Sequence, residues 1–406
     1  MPTIHIKNIG PLIDTGKVEL GSLTLFTGKQ SSGKSTLMKI LCFCSWIEKQ
    51  IMLGDENPLY QYTHYFSFYK ELKRFHRLDD SFFEKDCFIE YEGDCISIKM
   101  NGKKSNAKIE RKNDFEKNRL NTKISFIPSE RNLISAIKNV DKVYRSTELD
   151  ILFNFMFEWD EARQSYTNKP LKISVADNME YYYDSKKETD YLRLIDSKKE
   201  FSTFFASSGV QSALPIEAMI NYFTSLINKP VDFSKQSIHN IILSFLQSNK
   251  LKIDELEQSN FKNFQEKLLN YQNVKLFIEE PEQNLYPESQ KQLLLNIVEA
   301  LIKANNISKR KNFIVMTTHS PYILSVLNVL MRAKQSFTLN KDKTIEKIDK
   351  KYIMQKYDIK AYHIENGKVN CILEKDPDMI SGLELDSVSD WVEESITSLN
   401  DIIYNI

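Results

Sequence analysis

The sequence predicts an α/β fold with an antiparallel β insertion and a helical lobe. Three observations carry that prediction. Short apolar runs of strand length alternate with longer segments of helical period. A glycine-containing loop, Gly28–Ser35, joins one such run to a helix. Between residues 87 and 111, alternating runs separated by turn residues break the pattern and read as a meander.

The elements follow in order. Thr3–Lys7 alternates as a strand and ends at the turn Asn8-Ile9-Gly10-Pro11. Leu23–Thr27 reads as a short buried strand and Lys34–Ile47 as a helix. Tyr62–His76 reads as one aromatic-rich helix. Cys87–Tyr91, Cys95–Met100 and Ala107–Arg111 form the meander, with Asn101-Gly102 as its clearest hairpin turn. Ile124–Ile127 is a strand stopped by Pro128, and Glu148–Arg163 is helical. Leu171–Val175, Met179–Tyr183 and Tyr191–Ile195 read as short strands. A polar turn at Ser207–Gln211 opens a helix reaching about Ile227, and helical stretches follow near Ile238–Leu246 and Phe261–Tyr271. Val274–Ile278 and Asn312–Thr317 are apolar strands, separated by the helix Pro287–Ile302 and followed by the helix Tyr322–Met331. A hairpin turns at Asn366-Gly367, and a last helix starts near Ser387. These elements divide into residues 1–131, a mainly helical lobe at 132–272, residues 273–335, and a C-terminal hairpin and helix at 336–406.

Composition narrows the function classes. Lys+Arg and Asp+Glu are both 55, so the zero formal net charge excludes a polycation that coats nucleic acid. Contact with DNA would need a local patch. Lys103, Lys104, Lys108, Arg111 and Lys112 are the best cluster, and they read as a surface hairpin. No run of 18 apolar residues occurs, so no membrane partner is expected. The five cysteines include no CxxC pair, which argues against a disulfide framework or a structural zinc site. With no leader pattern at Met1–Gly10, the reading is of a cytoplasmic protein.

Gly28-x-x-x-x-Gly33-Lys34-Ser35 is a full P-loop match between a predicted strand and a predicted helix. Glycines let successive backbone N–H groups turn towards one anion, and the helix N-terminus adds its positive end. Lys34 then neutralises the β- and γ-phosphate oxygens, and the Ser35 hydroxyl is placed to ligate Mg²⁺. Further along, the apolar strand ending Ile278-Glu279-Glu280-Pro281 delivers two acids to the same sheet edge. One can support Mg²⁺ and the other can accept a proton from water. A parallel neighbour ending Thr317-Thr318-His319-Ser320 would bring His319 to that edge, where imidazole can bond a phosphate or the attacking water. Ser207-Ser208-Gly209 at a helix N-terminus makes a second anion site.

In this order the motifs (P-loop, SSGxQ, EEPExxLxP, THSP) resemble the ATP-binding cassette (ABC) ATPases, in their SMC/RecF/OLD-like branch rather than the transporter cassettes. The likeness covers residue 1 to about 330. It implies an ABC-type head with a mixed central sheet and a compact signature lobe, using ATP and Mg²⁺. It implies that Gly28, Lys29, Gln30, Ser31, Ser32, Gly33, Lys34, Ser35 and Thr36 form Walker A. Ser207, Ser208, Gly209 and Gln211 would contact nucleotide held by a second copy, in a homodimer or higher homo-oligomer. Glu279 would be the metal-side acid with Ser35, Glu280 the catalytic base, and His319 the switch histidine acting with Lys34. Gln283 and Asn284 would lie in the D-loop.

The chain departs from the pattern at several points. Val210 replaces the second signature glycine, Glu279 stands where many cassettes have Asp, Tyr286 replaces the His of LHP, and no Q-loop glutamine is evident. Phe126–Arg131 resembles the branch's IPxER motif, which points to Glu130 or Arg131 in that region. Residues 132–206 show no sustained heptads, excluding a long coiled-coil arm. Asp376-Pro377-Asp378 reads as an acidic turn, not as a nuclease pair. The acidic C-terminal segment carries one apolar stripe (Val388, Trp391, Val392, Ile396, Leu399, Ile403) and reads as a helix docked on its own domain.

The resemblance extends to lone ATPase subunits of anti-phage systems (PARIS, Septu and retron-linked ATPases), which work with a separate nuclease or toxin. It therefore implies an effector partner gated by ATP. A RecF-like ATPase acting directly on DNA and a low-turnover ATP-binding scaffold are the alternatives.

Overall fold

A computed structural model of the chain describes residues 2–54, 57–136, 150–231, 241–242, 265–354, 359–375, 378–381, 395–397 and 399. It opens with β1 (Thr3–Ile9), β2 (Leu12–Asp14), β3 (Val18–Glu19) and β4 (Leu23–Thr27). β1 buries alternate residues, as a strand with one covered face does, whereas β4 is buried at every position. The phosphate loop leads into α1 (Lys34–Met52), which runs a full turn beyond the expected helix. The aromatic segment forms two helices, α2 (Asn57–Thr63) and α3 (Ser67–Phe75), not one. Tyr65 and Phe66 take positive φ, and consecutive left-handed residues cannot continue a right-handed helix. The expected meander is present as β5 (Phe83–Glu92), β6 (Ile96–Asn101) and β7 (Lys108–Arg111), followed by β8 (Asn121–Ile127).

After α4 (Ile151–Gln164) come β9 (Leu171–Lys172), β10 (Met179–Asp184), β11 (Thr189–Leu194) and β12 (Glu200–Ser202). These pair into their own antiparallel sheet, in the order β12-β11-β10-β9. Tyr181 of β10 meets Trp159 of α4 at 5.9 Å between ring centroids, which seats this sheet on the helix. The lobe thus carries a small sheet besides its helices. β12 had no sequence counterpart. The helix opened by the serine turn is α5 (Ser208–Ser225). β13 (Tyr271–Glu279), α6 (Pro287–Ile307), β14 (Phe313–Thr318) and α7 (Pro321–Leu339) follow, then the hairpin β15 (Ile359–Glu365) and β16 (Lys368–Cys371) around Asn366-Gly367. Most of the helical stretch expected near residues 238–246, most of the last helix, and the turn residues Asp376 and Pro377 lie outside the described residues.

Twelve strands form one mixed central sheet, in the order β7-β6-β5-β1-β2-β16-β15-β4-β14-β13-β8, with β3 on β1. The segment β15-β4-β14-β13-β8 is parallel throughout. The segment from β7 to β2 is antiparallel. The late hairpin joins the two halves, with β15 beside β4 and β16 beside β2. One apolar cluster lies against each face of the sheet, and α1 and α5 belong to opposite clusters.

β13 is not uniformly apolar. Lys275 is buried in mid-strand, with its ammonium 3.3 Å from Glu48 of α1 and 3.2 Å from Asp94. Glu48 also accepts hydrogen bonds from the Tyr91 hydroxyl (2.8 Å) and the Cys95 N–H (2.7 Å). A buried cation is tolerated there because each charge has partners.

Candidate active site

The parallel register carries three strand ends to one edge of the sheet. Glu279 pairs with Thr317, and Thr318 with Thr27, so the residues after β4, β13 and β14 emerge side by side. The loop after β4 is a phosphate nest. Gly28, Ser31 and Gly33 all have positive φ, and a Cβ on Gly28 would collide with the carbonyl oxygen of Ile364 in β15. Lys34 curls over this loop and donates to the carbonyls of Gly28 (2.9 Å) and Lys29 (2.8 Å). Burial lowers its pKa from the ordinary lysine value, against the attraction of Glu280 and Glu282.

Glu279 sits behind the first turn of α1. One carboxylate oxygen accepts the Ser129 N–H at 3.1 Å, and the other is buried without a hydrogen-bond partner. Burial raises its pKa above the ordinary glutamate value, while Lys39, the Ser35 hydroxyl and the Ser129 N–H oppose the rise. A buried carboxylate oxygen without a partner beside a serine hydroxyl is a donor set that suits Mg²⁺. Among the described residues no cluster of three or more His, Cys, Asp or Glu could hold a metal, so such a site would draw on the hydroxyl and on phosphate oxygens.

Glu280 takes the left-handed conformation, with φ 41°. Its N–H donates to the Thr317 carbonyl at 3.0 Å, and its carboxylate lies 3.3 Å from Nε2 of His319. Glu282, in the following turn, accepts the His319 N–H at 2.6 Å. Arg131 lies fully buried behind the acids and donates to the main-chain carbonyls of Glu279 and Glu280, each at 2.6 Å.

One cavity of about 430 Å³ unites Gln30, Ser31, Ser32, Gly33, Lys34, Ser35 and Thr36 with Glu280 and His319. Pro11 and Phe82 complete its wall. Neither was expected from the sequence. The Gly10 N–H bonds the Phe82 carbonyl at 2.5 Å, which draws the start of β5 over the turn before β2. No motif spacing encodes that long-range approach, and Gly10 was the one local signal for it.

Ser207, Ser208, Gly209 and Gln211 do not line this cavity. Ser207 caps α5, and Ser208 is exposed at its first turn. Gly209 lies under the carbonyl of Asn284, so the signature turn and the expected D-loop touch within one chain. Gln211 donates its amide to the carbonyls of Thr203 (3.0 Å) and Phe204 (3.1 Å), holding the turn before the helix. Of the IPxER residues, Arg131 turns inward and Glu130 is exposed. In the basic cluster, Lys103 pairs with Asp80, Lys108 with Glu110 and Lys112 with Glu92. Three of the five cations of the cluster are thus offset by acids of the same chain.

A family profile described as "AAA domain, putative AbiEii toxin, Type IV TA system" matches residues 275–325, the span holding most of β13 and all of α6 and β14. No curated protein matches the chain. Among solved structures, an SMC head bound to the C-terminal winged-helix domain of ScpA is similar at 10% identity, covering 93% of this chain and 99% of its own, with a TM-score of 0.39. The SMC head domain from Thermotoga maritima is similar at 9% identity, covering 91% and 97%, with a TM-score of 0.35. The recombination mediator RecF is similar at 12% identity, covering 91% and 97%, with a TM-score of 0.33. Over residues 275–325 the chain is therefore similar to an AAA-type ATPase domain.

Proposed function

We propose that this chain is an ABC-class ATPase that binds ATP·Mg²⁺ at the P-loop and hydrolyses it with Glu280 as general base. The carrying observation is the single cavity shared by the phosphate loop, Glu280 and His319. Bound there, ATP·Mg²⁺ would supply the scissile phosphoanhydride with its β- and γ-oxygen charge offset by the metal. Gly28–Thr36 and the N-terminus of α1 cradle the phosphates, and Lys34 exchanges its loop carbonyls for phosphate oxygens. Ser35 and Glu279 would hold the metal. Glu280 takes the proton of the attacking water, and His319, 3.3 Å away, orients that water against the γ-phosphate.

The exposed signature serines support a composite site, in which Ser208 of one copy caps nucleotide on another. Such closure by ATP, and reopening by hydrolysis, would gate a separate effector such as a nuclease or toxin. The resemblance to anti-phage ATPase subunits supports that output. A RecF-like action on DNA is the rival reading, and the internal pairing of the Lys103–Lys112 cluster weighs against it. Salt-dependent DNA binding strengthened by ATP would favour the rival.

The test is steady-state ATP hydrolysis. Glu280→Gln should lower kcat about a hundredfold or more and keep ATP binding, as removal of a general base does. Lys34→Ala should abolish binding. A Glu280→Gln enzyme working at the wild-type rate would remove Glu280 from the base role.

A further inference from the structure

Arg131 is the largest fully buried side chain among the described residues. A guanidinium stays charged, so placing it out of water is costly unless its donors are filled. All the acceptors that fill them are main-chain carbonyls. Nε donates to Ser212 at 2.8 Å, one terminal nitrogen to Pro128 at 3.1 Å and Glu279 at 2.6 Å, and the other to Glu280 at 2.6 Å. Burial lowers its pKa to about 10, with Glu282 the foremost of the acids opposing that fall. At neutral pH the group is a cation.

These four carbonyls belong to three separate parts of the fold. Pro128 directly follows β8, Glu279 ends β13 with Glu280 next, and Ser212 lies one turn into α5, beyond Ser208 and Gly209. Pro215 lacks the N–H that would bond the Gln211 carbonyl, so one ladder bond is missing beside Ser212. Glu280 is held in a left-handed conformation, which a non-glycine residue keeps only where its surroundings fix it. Its N–H is fixed by Thr317 and its carbonyl by Arg131. Glu282, the acid that most favours the Arg131 cation, in turn holds the backbone of His319.

We infer that Arg131 is a positioning residue: it ties the N-terminal part of the signature helix, at Ser212, to the carbonyls of Glu279 and Glu280, and so holds Glu280 in the backbone conformation that aims its carboxylate at His319. A movement of Ser208 reaches Glu280 through one guanidinium. The inference rests on the ATPase reading above. It assigns Arg131 to the rate of the chemical step, not to nucleotide affinity, because Arg131 does not itself line the cavity and reaches its wall only at the main chain of Glu280.

Arg131→Met and Arg131→Lys test it, with kcat, KM, the Kd of a non-hydrolysable ATP analogue and thermal melting measured on the full chain. Lysine keeps the charge but cannot span Ser212 and Glu280 together. Both variants should lose tenfold or more in kcat with analogue Kd within about threefold of wild type. A folded variant with wild-type kcat, or a parallel loss of affinity, would overturn the inference alone. Failure of both variants to fold would make Arg131 an architectural residue and overturn it too. Absence of hydrolysis by the wild type, at any nucleotide concentration, would overturn the ATPase reading and this inference with it.

Discussion

At the scale of single residues, a buried carboxylate sets a response to pH. Glu217 on α5 is fully buried and accepts hydrogen bonds from the N–H and hydroxyl of Ser174, each at 2.8 Å, and from the Val175 N–H. Desolvation outweighs those bonds and raises its pKa to about 7. The folded state therefore holds a proton that the unfolded chain releases near pH 4.5. Stability from this group is complete below about pH 4.5, falls as pH rises towards 7, and is level above; the span is roughly 3 kcal/mol. Glu217→Gln, which cannot ionise, should lose that slope, so urea denaturation at pH 5 and pH 8 should differ less for the variant than for wild type. Equal pH dependence in both would show that Glu217 does not titrate in this range. Glu279, Glu280, His319 and the whole P-loop were legible in the sequence, because each announces itself by residue type at fixed spacing. Arg131 was only half legible. Its motif pointed to the region, but its partners are carbonyl oxygens, which every residue carries and no side-chain pattern marks.

At the scale of elements, the strands that read most clearly were those buried on both faces, such as β4 and β14, where continuous apolar runs leave no other reading. α2 and α3 were misread as one helix because positive φ at Tyr65 and Phe66 has no signature in aromatic residues. The place of β15 was illegible: its hairpin turn is local, but its partner β4 lies far back in the chain. The join between α1, the meander and β13 is the Glu48–Lys275–Asp94 group, and Gly93 lies against it. A Cβ at Gly93 would overlap the Glu48 carboxylate, coming within 2.6 Å of Cδ. That carboxylate has nowhere to retreat, being bonded to Lys275, Tyr91 and Cys95. Gly93→Ala should therefore cost about 3 kcal/mol or more in chemical denaturation, the scale of disturbing a buried ion pair. A loss below about 1 kcal/mol would mean the group is looser than its geometry indicates.

At the scale of the whole molecule, the P-loop cavity and the Ser207–Gly209 turn are separate surfaces of one chain, which frames a test of the composite-site proposal. Ser208→Arg should remove the capping contact while leaving nucleotide binding intact, and Lys34→Ala should abolish nucleotide binding while leaving Ser208 able to cap nucleotide on another copy. Each variant alone should be inactive. Mixed together they should regain a fraction of wild-type hydrolysis, because one site of a mixed pair would be whole. Continued inactivity of the mixture, with both variants folded, would argue for a site complete within one chain. The central sheet adds a constraint in time. The hairpin of β15 and β16 is inserted between β2 and β4, both made much earlier, and its Ile364 carbonyl packs on Gly28. A chain emerging from the ribosome thus carries the loop's full sequence for most of its synthesis without the wall that shapes it. The wall against Gly28 is therefore completed in one late step, when the hairpin docks.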